Sequence, residues 1–281
     1  LDWFYLGMYP LLDYWSSGTV WATLGVLLLI LLLLPWLPPM RRAAPALVTL
    51  DQCNGCTRCQ ADCPYAAITM VPRTDGLKFD LQAEVNPDKC VSCGICAGAC
   101  PTATPFRRRA DLVAGIDLPD SSIADLRDRI HAAADLLGGK TRILVMSCQH
   151  AARTDDLVGP EATAVKVPCI GAIPPSFIDY MLSEGLADGV MLSGCSEGEC
   201  YNRFGGHWTK ARLEGTRDPN LRKRVPRERI GTFWGNKMQG GGLRREIERF
   251  AGSLADLPKP PLPDRSGPPP APSRSKEASD A

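Results

Sequence analysis

Twelve cysteines in 281 residues carry most of the chemistry this chain can do. The stretch CNGCTRCQADCP (Cys53 to Pro64) is followed 37 residues later by CVSCGICAGACP (Cys90 to Pro101), so the pattern C-x2-C-x2-C-x3-C-P occurs twice. Thiolates are soft ligands, and four of them can hold a cubane of iron and sulfide. The x2 spacings wrap a tight loop around three corners of one cube, and the fourth cysteine, just ahead of proline, reaches the other cube. The expected sets are therefore Cys53, Cys56, Cys59 and Cys100 for one [4Fe–4S] cluster and Cys90, Cys93, Cys96 and Cys63 for the second. Pro64 and Pro101 turn the chain away, and Gly55 and Gly94 let backbone amides approach sulfide. Structural zinc is the alternative, but zinc uses pairs of cysteines separated by a long loop rather than runs of four. Two adjacent cubes make a wire of one-electron sites.

Four cysteines remain: Cys148, Cys169, Cys195 and Cys200. The elements that would position them read as an α/β pattern. RILVM (Arg142 to Met146), AVKV (Ala164 to Val167) and GVMLS (Gly189 to Ser193) look like buried strands, with RIGTFW (Arg229 to Trp234) as a further one. A helix opens at Pro174-Pro175 and runs to about Ser183, and Leu243 to Leu254 reads as an amphipathic closing helix. Strands alternating with helices imply a small, mostly parallel sheet, whose carboxyl ends gather on one edge. Cys148, Cys169 and Cys195 follow three of those strand ends, and Cys200 can return to the same point through the loop GCSEGEC. On spacing alone, a [2Fe–2S] cluster, zinc and unligated thiols all remain open.

Resemblances narrow this. Residues 53 to 101 resemble bacterial-type two-cluster ferredoxins, with all eight ligands in place. PCIGAIPPSFIDYMLSEGLADGVMLSGCSEGECYNRFGG (Pro168 to Gly206) resembles the delta subunit of methyl-viologen-reducing hydrogenase, and the likeness extends from Thr141 to near Leu254. That resemblance implies a [2Fe–2S] cluster on Cys148, Cys169, Cys195 and Cys200 that passes electrons to a heterodisulfide-reductase-like flavoprotein. The chain departs from that family at Tyr201, where a histidine commonly follows the last cysteine.

The other elements are more ordinary. Ile68 to Asp80 alternates and turns at Thr74-Asp75-Gly76, a hairpin signal. Pro105 to Pro119 reads as a connector, after which Asp120 or Ser121 is expected to cap a helix stopped by Gly138-Gly139. Gly240-Gly241-Gly242 reads as a turn before the last helix. The basic runs Arg107-Arg108-Arg109 and Arg222 to Arg229 read as solvated faces or as contacts to lipid or an acidic partner. Glu197 and Glu199 read as solvated, or as partner contacts, around the later cysteines.

From Tyr14 to Met40 there is no charged side chain, and Val20 to Pro38 approaches the ~20 residues that cross a hydrocarbon layer. Trp15, Trp21 and Trp36 lie near its ends, and Arg41-Arg42 follows, which places the rest of the chain on the cytoplasmic side. A signal peptide would need a basic start, whereas Asp2 and Asp13 are acidic. Leu1 to Trp15 resembles the C-terminal part of b-type cytochromes of quinol-oxidising complexes, with Asp2-Trp3-Phe4-Tyr5 at the place of that family's Pro-Glu-Trp-Tyr; the chain departs from it in having Leu1 where proline and Asp2 where glutamate is expected. The resemblance implies that Asp2 or Tyr5 lies near a quinone pocket, while an ordinary aromatic interface belt is the plainer reading. The histidines are His131, His150 and His207, none in the span, so this segment alone cannot hold a bis-histidine haem. Leu1 is not methionine, so the sequence reads as a processed product or as a piece of something longer.

A formal net charge of +1 gives no pull toward nucleic acid, and no G-x-G-x-x-G or P-loop supports bound NAD, FAD or ATP. Clustered thiols at ligand spacing indicate a reducing compartment, not secreted disulfides. The fold class expected is a multidomain α+β and α/β chain. It would comprise a membrane segment over 1–42 with its span at about 19–38, a two-[4Fe–4S] ferredoxin-like domain over 43–105, and a helical connector over 106–140. A [2Fe–2S] α/β domain over 141–255 and a disordered Pro-rich tail over 256–281 would follow. The function expected is a single-pass, inner (cytoplasmic) membrane electron-transfer subunit with its iron–sulfur domains in the cytoplasm and no catalytic site of its own. It would relay electrons between a quinone-reactive or cytochrome b subunit and a soluble heterodisulfide-reductase-like or hydrogenase-like partner. Alternatives are an iron–sulfur redox sensor and a thiol–disulfide reductase using the later cysteines.

Overall fold

Two units emerge from the contacts of the chain, residues 1–42 and residues 43–281. The structure is a computed structural model that describes residues 9–37 and 43–258. Arg41, Arg42 and all but residues 256–258 of the Pro-rich tail lie outside the described residues.

The first unit holds α1 (Tyr9–Tyr14) and α2 (Ser17–Leu33), and α2 runs into a 3-10 turn at Leu34–Trp36. Ser16 caps α2 by accepting the Thr19 N–H at 3.3 Å. Pro35 falls in the terminal turn, where its missing N–H costs least. Ser17–Trp36 is long and apolar enough to cross a membrane, and no side chain of α2 is buried. A helix apolar all round suits lipid.

The second unit begins with β1 (Leu47–Val48), α3 (Arg58–Ala61), β2 (Ile68–Pro72), β3 (Leu81–Val85), α4 (Ile95–Ala99) and β4 (Ile116–Asp117). β2 and β3 form the expected antiparallel hairpin, and β1 pairs antiparallel with β4. Short strands and one-turn helices suit this region, because its core is small: Ala46, Ile68, Ala83, Ile116 and Leu118 pack directly against Cys59 and Cys96.

The remainder is α5 (Ile123–Asp135), β5 (Ile143–Cys148), β6 (Ala162–Val167), α6 (Pro175–Ser183), β7 (Gly189–Gly194), α7 (Gly205–Glu214), β8 (Ile230–Trp234) and α8 (Gly240–Ala255). The four strands form one parallel sheet in the order β6-β5-β7-β8. β5 and β7 are buried along their whole length, as central strands of a sheet covered on both faces must be. On one face Leu144, Met146, Val190 and Leu192 meet Leu126 and Ile130 of α5 and Phe177 and Met181 of α6. On the other, Ile143, Val145 and Met191 meet Leu243, Ile247, Phe250 and Leu254 of α8.

Two local expectations are corrected. Ser122, not Asp120 or Ser121, caps α5, accepting the Asp125 N–H at 3.0 Å. Asp120 is engaged elsewhere, taking the Ala44 N–H at 3.0 Å, and Ser121 Oγ accepts from Arg129. Gly240-Gly241-Gly242 is the first turn of α8 instead of a turn before it. There Gly242 fits against the Phe233 ring, 3.3 Å from where a Cβ would stand, and Asn236 and Gln239 form a capping box one turn earlier.

Candidate metal centres

Each cysteine repeat divides its side chains between two cavities. Cys53, Cys56, Cys59 and Cys100 line one, with Met70, Ala83 and Ile116 as its apolar wall. Cys63, Cys90, Cys93 and Cys96 line the other, with Ala46, Ala67, Ile68 and Leu118. The chain bends around the thiols through left-handed residues, Gly55 and Thr57 in the first repeat and Ser92 and Gly94 in the second. Gly55 is required on a further ground: a Cβ there would stand 2.5 Å from the Leu81 carbonyl oxygen.

Electrostatics reports the same grouping. Burial pushes the Cys59 thiol up to about 12, and Cys56, Cys100 and Cys53 add to the rise. Burial likewise pushes Cys93 up to about 11 and raises Cys96, with Cys63 and Cys90 among the neighbours of both. Cys96 also feels Cys59, so the two quartets adjoin. Lone thiolates are costly in such surroundings, whereas bonds to iron would disperse their charge. Backbone N–H groups already point at sulfur, from Ala67 to Cys63 at 3.2 Å and from Ala46 to Cys90 at 3.5 Å.

A clamp holds the first quartet. The buried Arg73 guanidinium donates to the carbonyls of Cys53 at 2.6 Å and Leu50 at 2.5 Å, and Asp75 fixes it from the other side. Arg73→Met is expected to speed loss of iron from this quartet to a chelator several-fold while sparing the other cysteines, measured as a partial, faster phase of bleaching.

The later cysteines converge where the sheet topology sends them. Cys148 ends β5, Cys169 lies just past β6, Cys195 follows β7, and Cys200 precedes α7. Cys148 Sγ and Cys195 Sγ are 3.9 Å apart. Cys169 interacts through its thiol with Cys148 and Cys200, and Cys195 does the same, so the four sulfurs close a ring. Hydrogen bonds from Cys169 and Cys195 bring Cys148 down to about 3 and Cys200 down to about 2, and the two donors are raised in turn. Gly205 has no room for a side chain, since a Cβ would lie 2.2 Å from Cys169 Sγ. Among the described residues no three Cys, His, Asp or Glu side chains are arranged around a single ion. All-thiol donor sets fit iron–sulfur centres; the first two quartets line apolar cavities, while Cys195 and Cys200 line one shared with Glu197, Arg203 and Lys210.

Around this ring, Tyr201 stacks on His150 with centroids 3.6 Å apart and an interplanar angle of 12°. Glu197 pairs with Lys210, which lowers its carboxyl, and Lys210 lies over the Trp234 ring at 4.7 Å. Glu199 is exposed. The basic runs are mostly committed within the chain. Arg222 and Arg224 both pair with buried Asp179, and Arg229 is itself buried, donating to the Asp188 carbonyl at 2.8 Å. Arg107 donates to Gln52, and Arg109 pairs with Asp128. Asp2 and Tyr5 lie outside the described residues.

Sequence reasoning missed α7 and with it Arg212, a fully buried arginine paired at 2.5 Å with buried Asp62. A short helix with polar residues on several sides carries no burial signal. The partner lies 150 residues away, so no local pattern links the two.

Comparison with known proteins identifies two regions. Residues 133–258 match the family described as methyl-viologen-reducing hydrogenase, delta subunit. Residues 52–104 match the 4Fe-4S dicluster domain. The iron-sulfur subunit of the F420-non-reducing hydrogenase of Archaeoglobus profundus is 31% identical over 98 residues, 35% of this chain and 71% of that protein. The iron-sulfur subunit of the F420-non-reducing hydrogenase vhc of Methanococcus voltae is 32% identical over 98 residues, 35% of this chain and 62% of its own length. An uncharacterized polyferredoxin-like protein of Methanocaldococcus jannaschii is 37% identical over 67 residues, 22% of this chain and 40% of its own.

Proposed function

Because the chain belongs to the family of the F420-non-reducing hydrogenase iron-sulfur subunits, we propose that this iron–sulfur electron-transfer protein is a three-centre conduit anchored in a membrane. The observation that carries this reading is the gathering of twelve cysteines into three quartets within one unit. Cys53, Cys56, Cys59 and Cys100 would hold one [4Fe–4S] cluster and Cys63, Cys90, Cys93 and Cys96 the second. Cys148, Cys169, Cys195 and Cys200 would hold a [2Fe–2S] cluster. When bound, such centres take up and release single electrons. The chain supplies the rest: it fixes the sulfurs, walls the first two quartets with apolar side chains and aims backbone N–H groups at sulfur, which together set reduction potential.

The apolar stretch Ser17–Trp36 supports a single-pass anchor, and Arg41-Arg42 supports a cytoplasmic position for the iron–sulfur part. At the membrane end the partner would be a cytochrome b or another quinone-reactive subunit, with Asp2 and Tyr5 near the quinone. At the other it would be a heterodisulfide-reductase-like flavoprotein or a hydrogenase-like protein.

Protein purified without oxygen is expected to carry about ten irons per chain, from two four-iron centres and one two-iron centre, and to bleach on reduction. Zinc in place of iron, or empty thiols, would overturn the proposal. About eight irons with titratable thiol among the later cysteines would favour a thiol–disulfide enzyme instead.

A further inference from the structure

The second and third quartets meet across a seam with almost no side-chain padding. α4, which carries Cys96, lies against the 3-10 turn Ile170–Ala172 that follows Cys169. That turn in its turn lies against α7, which follows Cys200. Three glycines make this approach possible. A Cβ on Gly98 would stand 2.1 Å from the Gly171 carbonyl oxygen, one on Gly171 would be 3.2 Å from Gly205 Cα and from Ile95 Cγ1, and one on Gly94 would be 2.9 Å from Ala172 Cβ. Ile95 is wholly buried. Such close backbone packing is far tighter than docking a tethered module requires.

The polar contacts of the seam join residues beside the second quartet to residues beside the third. Tyr65, two residues past Cys63, donates to Asn202 Oδ1 at 3.2 Å, two residues past Cys200. Arg203 lies 5.0 Å over the Tyr65 ring and donates to the Pro64 carbonyl at 2.9 Å. Tyr65 itself lines the cavity of the second quartet, so this one side chain reaches from that cavity to the loop after Cys200. Asp62, adjacent to Cys63, pairs with Arg212, and Arg212 donates to the Gly171 carbonyl at 2.9 Å.

We propose that this seam is the internal electron port of the protein. The Cys63, Cys90, Cys93, Cys96 site exchanges electrons directly with the Cys148, Cys169, Cys195, Cys200 site, and the Cys53, Cys56, Cys59, Cys100 site is one step removed. The inference rests on all three quartets holding iron–sulfur centres. The step is a single-electron transfer: one site is oxidised as the other is reduced, and no bond or proton changes place. Tyr65, Ile95 and the glycine backbone are the medium through which it runs.

The test uses the whole protein, loaded and purified without oxygen. Gly98→Ala must push α4 off the turn, so the variant should keep its full iron content yet show weaker magnetic coupling between the reduced second and third centres. Rapid-freeze spectroscopy should show electron equilibration between them slowed several-fold. Tyr65→Leu leaves the glycine packing, and with it the magnetic coupling, intact and should slow equilibration alone, so a folding failure in Gly98→Ala does not end the test. Gly252→Ala, at a helical position with nothing within 4 Å of the added Cβ, is the control expected to match the parent. Equilibration at the parent rate in iron-replete Tyr65→Leu, or coupling and equilibration both at the parent values in iron-replete Gly98→Ala, would overturn the port. Absence of iron in the parent protein would instead remove the three-centre reading on which it stands.

Discussion

Cys169→Ser should take the protein from about ten irons per chain to about eight, with both four-iron centres still present. The reasoning is geometric. Cys169 is almost fully buried and touches two of the other three sulfurs, so no other side chain can take its place. Serine offers a hard, weakly acidic oxygen where soft thiolate is needed. The two ferredoxin-type quartets draw on none of these residues, since their eight cysteines line separate cavities. Gly205→Ala should produce the same selective loss without altering a ligand, because its Cβ would occupy the space of Cys169 Sγ. Iron and acid-labile sulfide analysis, with spectra of the reduced protein, reads the outcome. Retention of all iron in Cys169→Ser would show that the later cysteines do not hold a centre.

Asp62→Ala should be among the most destabilising single substitutions in the chain. It leaves the Arg212 guanidinium buried with its charge unpaired, a change that costs about 3–5 kcal/mol. Arg212 starts from a costly position: burial already lowers its affinity for a proton, and its Nε has no partner. Asp62 also accepts from Arg217 Nε at 2.9 Å, so two cations lose their counter-ion together. For a unit of this size the thermal midpoint should fall on the order of 10 °C, followed as loss of visible absorbance on heating. The double variant Asp62→Leu with Arg212→Met should recover much of that loss, since apolar replacements of a buried pair are often neutral or better. A single-variant effect below about 1 kcal/mol would mean that water or a rearrangement serves Arg212 in its place.

Local chemistry is what could be read directly. The spacing of Cys53 to Cys63 and of Cys90 to Cys100 already gave the two expected quartets, because the x2 loops wrap one small object and the fourth cysteine of each repeat reaches the other. The buried strands were legible for a similar reason: β5 and β7 are apolar on both faces, which only a covered parallel sheet tolerates. Because the strands read as parallel, Cys148, Cys169 and Cys195 were expected to meet at one edge of the sheet. Capping was read less well, because Asp120, Ser121 and Ser122 are equivalent in type and only their other partners distinguish them.

Sequence by itself therefore determined which thiols stand at ligand spacing, which in the two repeats is a matter of a few residues along the chain. Tertiary structure alone decided how the groups face one another. The Asp62–Arg212 pair, the Tyr65–Asn202 hydrogen bond and the glycine seam at Gly98, Gly171 and Gly205 all join segments far apart in the chain. A buried charge, a missing Cβ and a tyrosine hydroxyl have no periodicity of their own. Their meaning arises only when packing removes water from between them, and that is a property of two surfaces, not of either segment.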